Sequence, residues 1–395
     1  MVFPEHIERY STEQGVTTLR SALTQTKLKQ FYVHPKIWLI RIQKLRWKTR
    51  LVTSFDARRD SAGMKTLQII VSTTDDIREL FYLCALLCSN LMNYWATDYL
   101  VDDMNQTYLE SLPIRRITFT TPPDEREQLA AEGRDLAHHA TRNTQHVTRN
   151  THHVPYADFL TSPLGAWLDA RLTAEPAQAD AVHDLLAHLA EQMIELHKER
   201  QRLEQALDPF KYLDKGARFV PFPEAFAEEI KYGERVSAPV DLGAVHHDID
   251  GLRLVREGEC WVLEVQLKQR DPDAAWRAWQ YDEGGHQIAR RWVGAYRFTL
   301  DAVKARYYQH AFRVLDAFAE AGSFPGGYTR STAKKLQLTE VPAFDAAADL
   351  APLVALSEDL SRVQAHIAAT DRLIDLVVYR LYGLTVAEVG VGEGG

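Results

Sequence analysis

The run YVHPKIWLIRIQKLRWKTRLVTSF (residues 32–55) decides how the first third of this chain is read. Ile, Trp, Leu, Val and Thr recur through it, and their branched or broad side chains fit a pleated strand surface. Lys and Arg are interleaved with them, so a small sheet built here is expected to turn a cationic face outward, as a protein that meets a nucleic-acid backbone must. Strands are predicted near 36–42, 50–55 and 66–71, with a polar turn between Asp56 and Gly63. Behind them, TDDIRELFYLCALLCSNLMNYWATDYL opens with Thr-Asp-Asp cap chemistry and predicts one apolar helix of about 22 residues. A closing strand is predicted at Tyr108–Ile117, and Thr121-Pro122-Pro123 marks a boundary.

Charge supports a local reading. The 395-residue chain has a net charge of −8, which argues against a protein that coats DNA along its whole surface. Residues 1–60, however, hold 12 Lys and Arg against 5 Asp and Glu, a net of +7, leaving −15 for the other 335. A basic face on an acidic body suits a protein that touches DNA through one module. With 46% apolar and 25% charged residues, the composition is that of an ordinary globular protein, long enough for two or three domains. No run of eighteen uncharged apolar residues occurs, and MVFPEHIERY has no signal-peptide pattern. Cys84 and Cys88, one helical turn apart, are expected as core thiols in a reducing cytoplasm.

Further along, residues 1–31 predict a short helix carrying Arg20, Lys27 and Lys29. Residues 124–155 are polar and repetitive (TRNTQHV, then TRNTHHV). Their five histidines, at 138, 139, 146, 152 and 153, lack the fixed spacing of a metal site and read as a solvated linker or helix end. Residues 178–207 carry an apolar stripe of Val182, Leu185, Leu186, Leu189, Met193, Leu196 and Leu203. A second stripe, from Leu353 through Leu360, Ile367, Ile374 and Val377 to Leu381, predicts an antiparallel partner for it. Between them, IDGLRLVREGECWVLEVQLK predicts two strands turning at Arg256–Glu259, and a helix follows at about 301–321. The expected fold class is therefore α+β: a small mixed-sheet recognition domain (1–121), a polar His-rich linker (122–155), a long helix (156–215), a small α+β region (216–344) and a C-terminal helix (345–395) packing on 178–207.

The first region also resembles a known family. Pro35-Lys36-Ile37 opens a strand, Leu51 to Asp56 ends a second in an acidic turn, and Ser89, Asn90, Tyr94 and Trp95 sit on the apolar helix. The pattern closes with Tyr108, Leu109, Leu112, Pro113 and Ile114. This is similar to the C-terminal specificity domain of TaqI-like adenine-specific DNA methyltransferases and related type IIG single-chain restriction–modification enzymes. The run ATDRLIDLVVYRLYGLT (369–385) resembles the helix that ends many of them. The resemblance implies double-stranded DNA as partner and sequence recognition as the task, in restriction–modification or phage defence. Lys36, Arg41, Lys44, Arg46, Lys48, Arg50, Arg58, Arg59 and Lys65 are the expected DNA contacts, with Trp47 stacking on bases.

Methylation itself needs a pocket for S-adenosylmethionine and, in this family, an Asn/Asp-Pro-Pro-aromatic loop around the flipped base. Thr121-Pro122-Pro123-Asp124 has the wrong order, and Gly284-Gly285 and Gly326-Gly327 lack a strand before and a helix after. S-adenosylmethionine is thus expected on a methyltransferase subunit or on an N-terminal half absent from this chain. The alternative is a Mg²⁺-dependent nuclease of the PD-(D/E)xK kind. Asp250 would pair across a hairpin near residues 264–265, bringing its carboxylate to that of Glu264, with Lys268 beside the attacking water.

Overall fold

The computed structural model describes residues 7–8, 10–12, 34–41, 51–58, 67–74, 76–99, 106–143, 155–214, 216–236, 247–270, 280–281, 287–315 and 330–394. It is α+β, and the chain divides into two compact units, residues 1–200 with 362–395 and residues 201–361. The short helix expected in residues 1–31 lies outside the described residues, apart from two short strands, β1 (Ile7–Glu8) and β2 (Ser11–Thr12).

In unit 1, β3 (Lys36–Ile40) is the middle strand between β4 (Thr53–Asp56) and β5 (Leu67–Ile70), both antiparallel to it. A single parallel bridge joins Tyr10 to Ser54. Because strand side chains alternate, Ile37 and Leu39 fall on one face and Lys36, Trp38 and Ile40 on the other. The first face packs with Phe55 and Leu51 into the core built by α1 (Ile77–Cys88) and α2 (Asn90–Tyr99). On the opposite face Trp38, Ile40 and Leu67 form an apolar cluster of their own.

The helix expected as one piece is two. Ser89, with extended ψ of 151°, ends α1 by giving its backbone N–H to Leu86 O, and its hydroxyl bonds the same carbonyl at 2.7 Å. Asp76 caps the start of α1 by accepting from Arg78 N. Cys84 and Cys88 are buried thiols that form no disulfide, and Cys88 Sγ lies 3.0 Å from Thr53 Oγ1.

No strand forms at Tyr108–Ile117. Instead α3 (Gln106–Glu110) is followed by a run that joins no sheet. Pro113 removes one donor a ladder would need, and side chains from distant parts of the chain take the place of a neighbouring strand. Arg115 N donates to Tyr382 Oη (3.0 Å), Tyr82 Oη donates to Arg115 O (2.9 Å), and Thr120 N and Thr121 N donate to Asp180. Burial pushes the Asp180 carboxyl up, but the bonds from Thr121 and Thr120 outweigh it and hold the group below its ordinary value. Most of the stretch expected as linker is helix α4 (Pro123–Asn143). His146, His152 and His153 lie outside the described residues. Short helices α5 (Tyr156–Leu160) and α6 (Pro163–Leu172) lead into α7 (Ala179–Ala206), the first long helix.

Unit 2 begins in the last turns of α7 and runs through β6 (Phe219–Pro221), α8 (Phe222–Ala225), α9 (Ala227–Tyr232) and β7 (Glu234–Arg235). An antiparallel sheet follows: β8 (His247–Glu257), β9 (Cys260–Arg270), β10 (Gln280–Tyr281) and β11 (Gln287–Phe298), in the order β10-β11-β9-β8. Gly258, at φ +64°, supplies the left-handed residue of the β8–β9 turn, where a side chain would be strained. The inner face, with Leu252, Leu254, Leu263, Val265 and Leu267, packs on Tyr308, Ala311 and Phe312 of α10 (Ala302–Arg313) and on Leu336 of α11 (Thr332–Leu338). Strand β12 (Glu340–Pro342) pairs with β6.

The second long helix, α12 (Ala351–Leu381), precedes α13 (Val386–Gly394). Its apolar stripe does not pack on α7 throughout, as the sequence suggested. Leu353 and Val354 enter the unit 2 core. Leu373, Ile374, Val377 and Leu381 share the unit 1 core with Val182, Leu185, Leu186, Leu189 and Met193 of α7. Among the described residues, no helix is long and apolar enough to cross a membrane.

Candidate nucleic-acid interface

The expected cationic sheet face is not what β3 presents. Every residue of β3 is buried, and Lys36 is as excluded from water as Trp38. The Lys36 ammonium donates to Arg58 O at 2.8 Å and lies 5.7 Å from the centre of the Trp38 ring. A buried ammonium must be bonded inside the protein, and here the carbonyl just past β4 takes it. Asp56, only 4% exposed, is the other half of the clasp. It accepts from the Trp38 indole N–H (3.0 Å) and from Arg58 three times: backbone N (3.0 Å), Nε (2.8 Å) and Nη2 (3.0 Å). Lys36 and Arg58, expected as DNA contacts, are thus engaged within the protein. The physical reason is that the chain covers the face on which the sequence pattern placed Lys36.

Arg41 is half-buried and leaves the sheet at the opposite end from Lys36. Lys44, Arg46, Trp47, Lys48, Arg50, Arg59 and Lys65 lie outside the described residues.

The two segments that carry the family resemblance lie far apart in sequence and meet directly. Asp375 of α12, buried, accepts from Asn90 N (2.7 Å) and Asn90 Nδ2 (2.6 Å) at the start of α2. A carboxylate at a helix N-terminus satisfies a donor that the helix itself leaves unpaired and complements its dipole. Immediately after α12, Tyr382 Oη donates to Pro113 O at 2.7 Å as well as accepting from Arg115 N, and the Arg115 guanidinium bonds Leu381 O. The sequence pattern marks Asn90, Pro113 and the 369–385 run, but only the fold brings them together. The i, i+2 spacing of Asp56 and Arg58 at a strand end is the sequence signal for the clasp.

In unit 2 the predicted carboxylate pair does not form as expected. The hairpin turns at Gly258–Glu259, with Glu257 opposite Cys260, and this sets Glu264 across from Arg253. The register slips at Asp250, between the pairs Ile249–Leu267 and Gly251–Gln266, so Asp250 is a bulge residue and not the partner of 264–265. Each acid has its own cation. Arg253 Nε donates to Glu264 Oε2 at 2.5 Å, whereas Asp250 pairs with Arg290 and lies 3.8 Å from Lys268 Nζ. Arg253 also stacks 4.2 Å from the Trp292 ring centre. Among the described residues, no group of three or more His, Cys, Asp or Glu is placed to hold a metal ion. Comparison with protein-family models, curated proteins and solved structures finds no match to this chain.

Proposed function

We propose that this chain recognises duplex DNA as the specificity portion of an adenine-N6 methylating restriction–modification or phage-defence system. S-adenosylmethionine would be held by a methyltransferase subunit or domain outside this chain. The observation that supports the reading is the docking of the 369–385 run onto the Asn90 and Pro113–Arg115 positions. Two resemblances found separately in sequence belong to one compact unit, as parts of one recognition domain should. The basic N-terminal sixty residues supply the charge such a unit requires.

The test is equilibrium binding of the full chain to duplex DNA across a salt series. Binding that weakens linearly in log salt is expected, with a shallower slope when Arg46 and Lys48 are changed to Gln. No salt-dependent binding would sink the proposal.

A further inference from the structure

We infer that a hollow between α2 and α13 of unit 1 binds a free organic amine in its protonated form, an ammonium group carried on an apolar body. The site is independent of the DNA reading. The hollow has a volume of about 280 Å³, and its walls are the aliphatic Leu91, Leu384, Val389 and Val391 with the rings of Tyr94 and Tyr379. Its mouth is open to solvent, since Tyr94 is 42% and Val391 66% exposed. Walls of this kind take up an apolar body by removing it from water. They also hold more than the unbranched stem of a lysine, so a broader body is assigned.

Charge selects the head group. Among the described residues that line the hollow, the charged one is Glu388, which is exposed. The start of α13 fixes its place: Thr385 N and Thr385 Oγ1 donate to Glu388 Oε2 at 2.8 and 2.7 Å, and Glu388 N donates back to Thr385 Oγ1. These bonds, that from the Thr385 backbone first, hold the carboxyl below its ordinary value, so it is ionised at neutral pH. Among the described residues no cation pairs with it. Guanidinium groups of the neighbouring turns are engaged, Arg380 with Asp169 and Arg115 with Leu381 O. Asn90, the other polar residue of the lining, gives its backbone N–H and an amide N–H to Asp375, which leaves its Oδ1 to accept. An ammonium thus meets Glu388 Oε1 and Asn90 Oδ1, and the two tyrosine rings favour a cation over an uncharged group. An anion would meet a carboxylate with no cation opposite it.

The experiment titrates the full chain, by ligand-observed NMR, with phenethylammonium, phenethyl alcohol and hydrocinnamate, which present similar bodies bearing a positive, a neutral and a negative head. Phenethylammonium is expected to bind about threefold more tightly than the alcohol, the order of effect an exposed carboxylate supplies, and hydrocinnamate most weakly. Glu388→Gln is expected to bring the ammonium and the alcohol to one affinity. Glutamine also closes this kind of helix start, so the thermal midpoint should hold. Val391→Trp, at an exposed position of the wall, is expected to weaken all three, and it decides should the Glu388 variant fail to fold. Alcohol bound as tightly as the ammonium, an ammonium preference that survives Glu388→Gln, ammonium binding untouched by Val391→Trp, or no binding of the ammonium at all overturns the inference. Binding of N-acetyllysine amide as tight as that of phenethylammonium overturns the assignment to a free amine.

Discussion

In the unit 1 sheet all five residues of β3 are buried, Lys36 among them, whereas β8 of unit 2 buries Ile249, Leu252 and Leu254 and leaves Arg253 exposed on its other face. Both strands mix branched apolar residues with cations. In β8 the cation is paired on an open face with Glu264. In β3 it is sealed in, bonded to a carbonyl and backed by an Asp–Arg pair. The difference teaches that alternation of residue types fixes which side chains share a face, while exposure depends on what the rest of the chain lays over that face.

Tryptophan substitutions should break the comparison most visibly. Trp38→Ala empties a fully buried site and removes the indole bond to Asp56. A loss of about 3–5 kcal/mol is expected from urea unfolding. Asp375→Ala strips both bonds from Asn90 and should cost about 2–3 kcal/mol, since hydrogen bonds to a buried charge are worth more than neutral ones. In unit 2, Gly258→Ala places a side chain at φ +64° and should cost about 1–2 kcal/mol, seen as a lower urea midpoint.

Acid should act through histidines of both units, since burial, with Arg306 and Arg313 beside it, also holds His310 of unit 2 below its ordinary value. Burial, joined by the charge of His138, holds the His366 imidazole below its ordinary 6.5, and burial with Arg134 does the same at His188. The unfolded chain then binds more protons than the folded one between the folded value and 6.5. Stability is therefore expected to fall as pH drops through that window and to be unaffected by these groups above it. Thermal midpoints measured from about pH 7.5 downward check this, and His366→Gln should reduce the fall. The smallest effect is expected at Glu264→Gln. Its partner Arg253 is half exposed and keeps its contact with Trp292, so a change within about 1 kcal/mol is predicted. A larger loss would mean that the polar face of unit 2 is more tightly built than the comparison holds.

Much of the fold was legible. The strands at 36–40, 53–56 and 67–70, the two long helices and the β8–β9 hairpin all fall where local pattern placed them, because a period of 2 or 3.6 is a property of neighbouring residues. The failures were non-local. Tyr108–Ile117 looked like a strand, but its long-range hydrogen bonds, at Pro113 and Arg115, go to Tyr82 and Tyr382, side chains that no local window includes. Asp250 looked two residues away from its actual register because a bulge depends on the partner strand.

The sequence by itself determined that this is an α+β chain with a basic N-terminal region, two long amphipathic helices and no match to the loops that build a methyltransferase pocket. Tertiary structure alone decided that Lys36 is buried, that Arg58 is tied to Asp56, that one helix stripe is divided between two cores, and that Asp375 caps the helix at Asn90. The physical reason is common to all four. Chain chemistry specifies how a residue points relative to its neighbours, but its solvent exposure and its charge partner depend on residues brought together from distant positions, here as many as 285 apart.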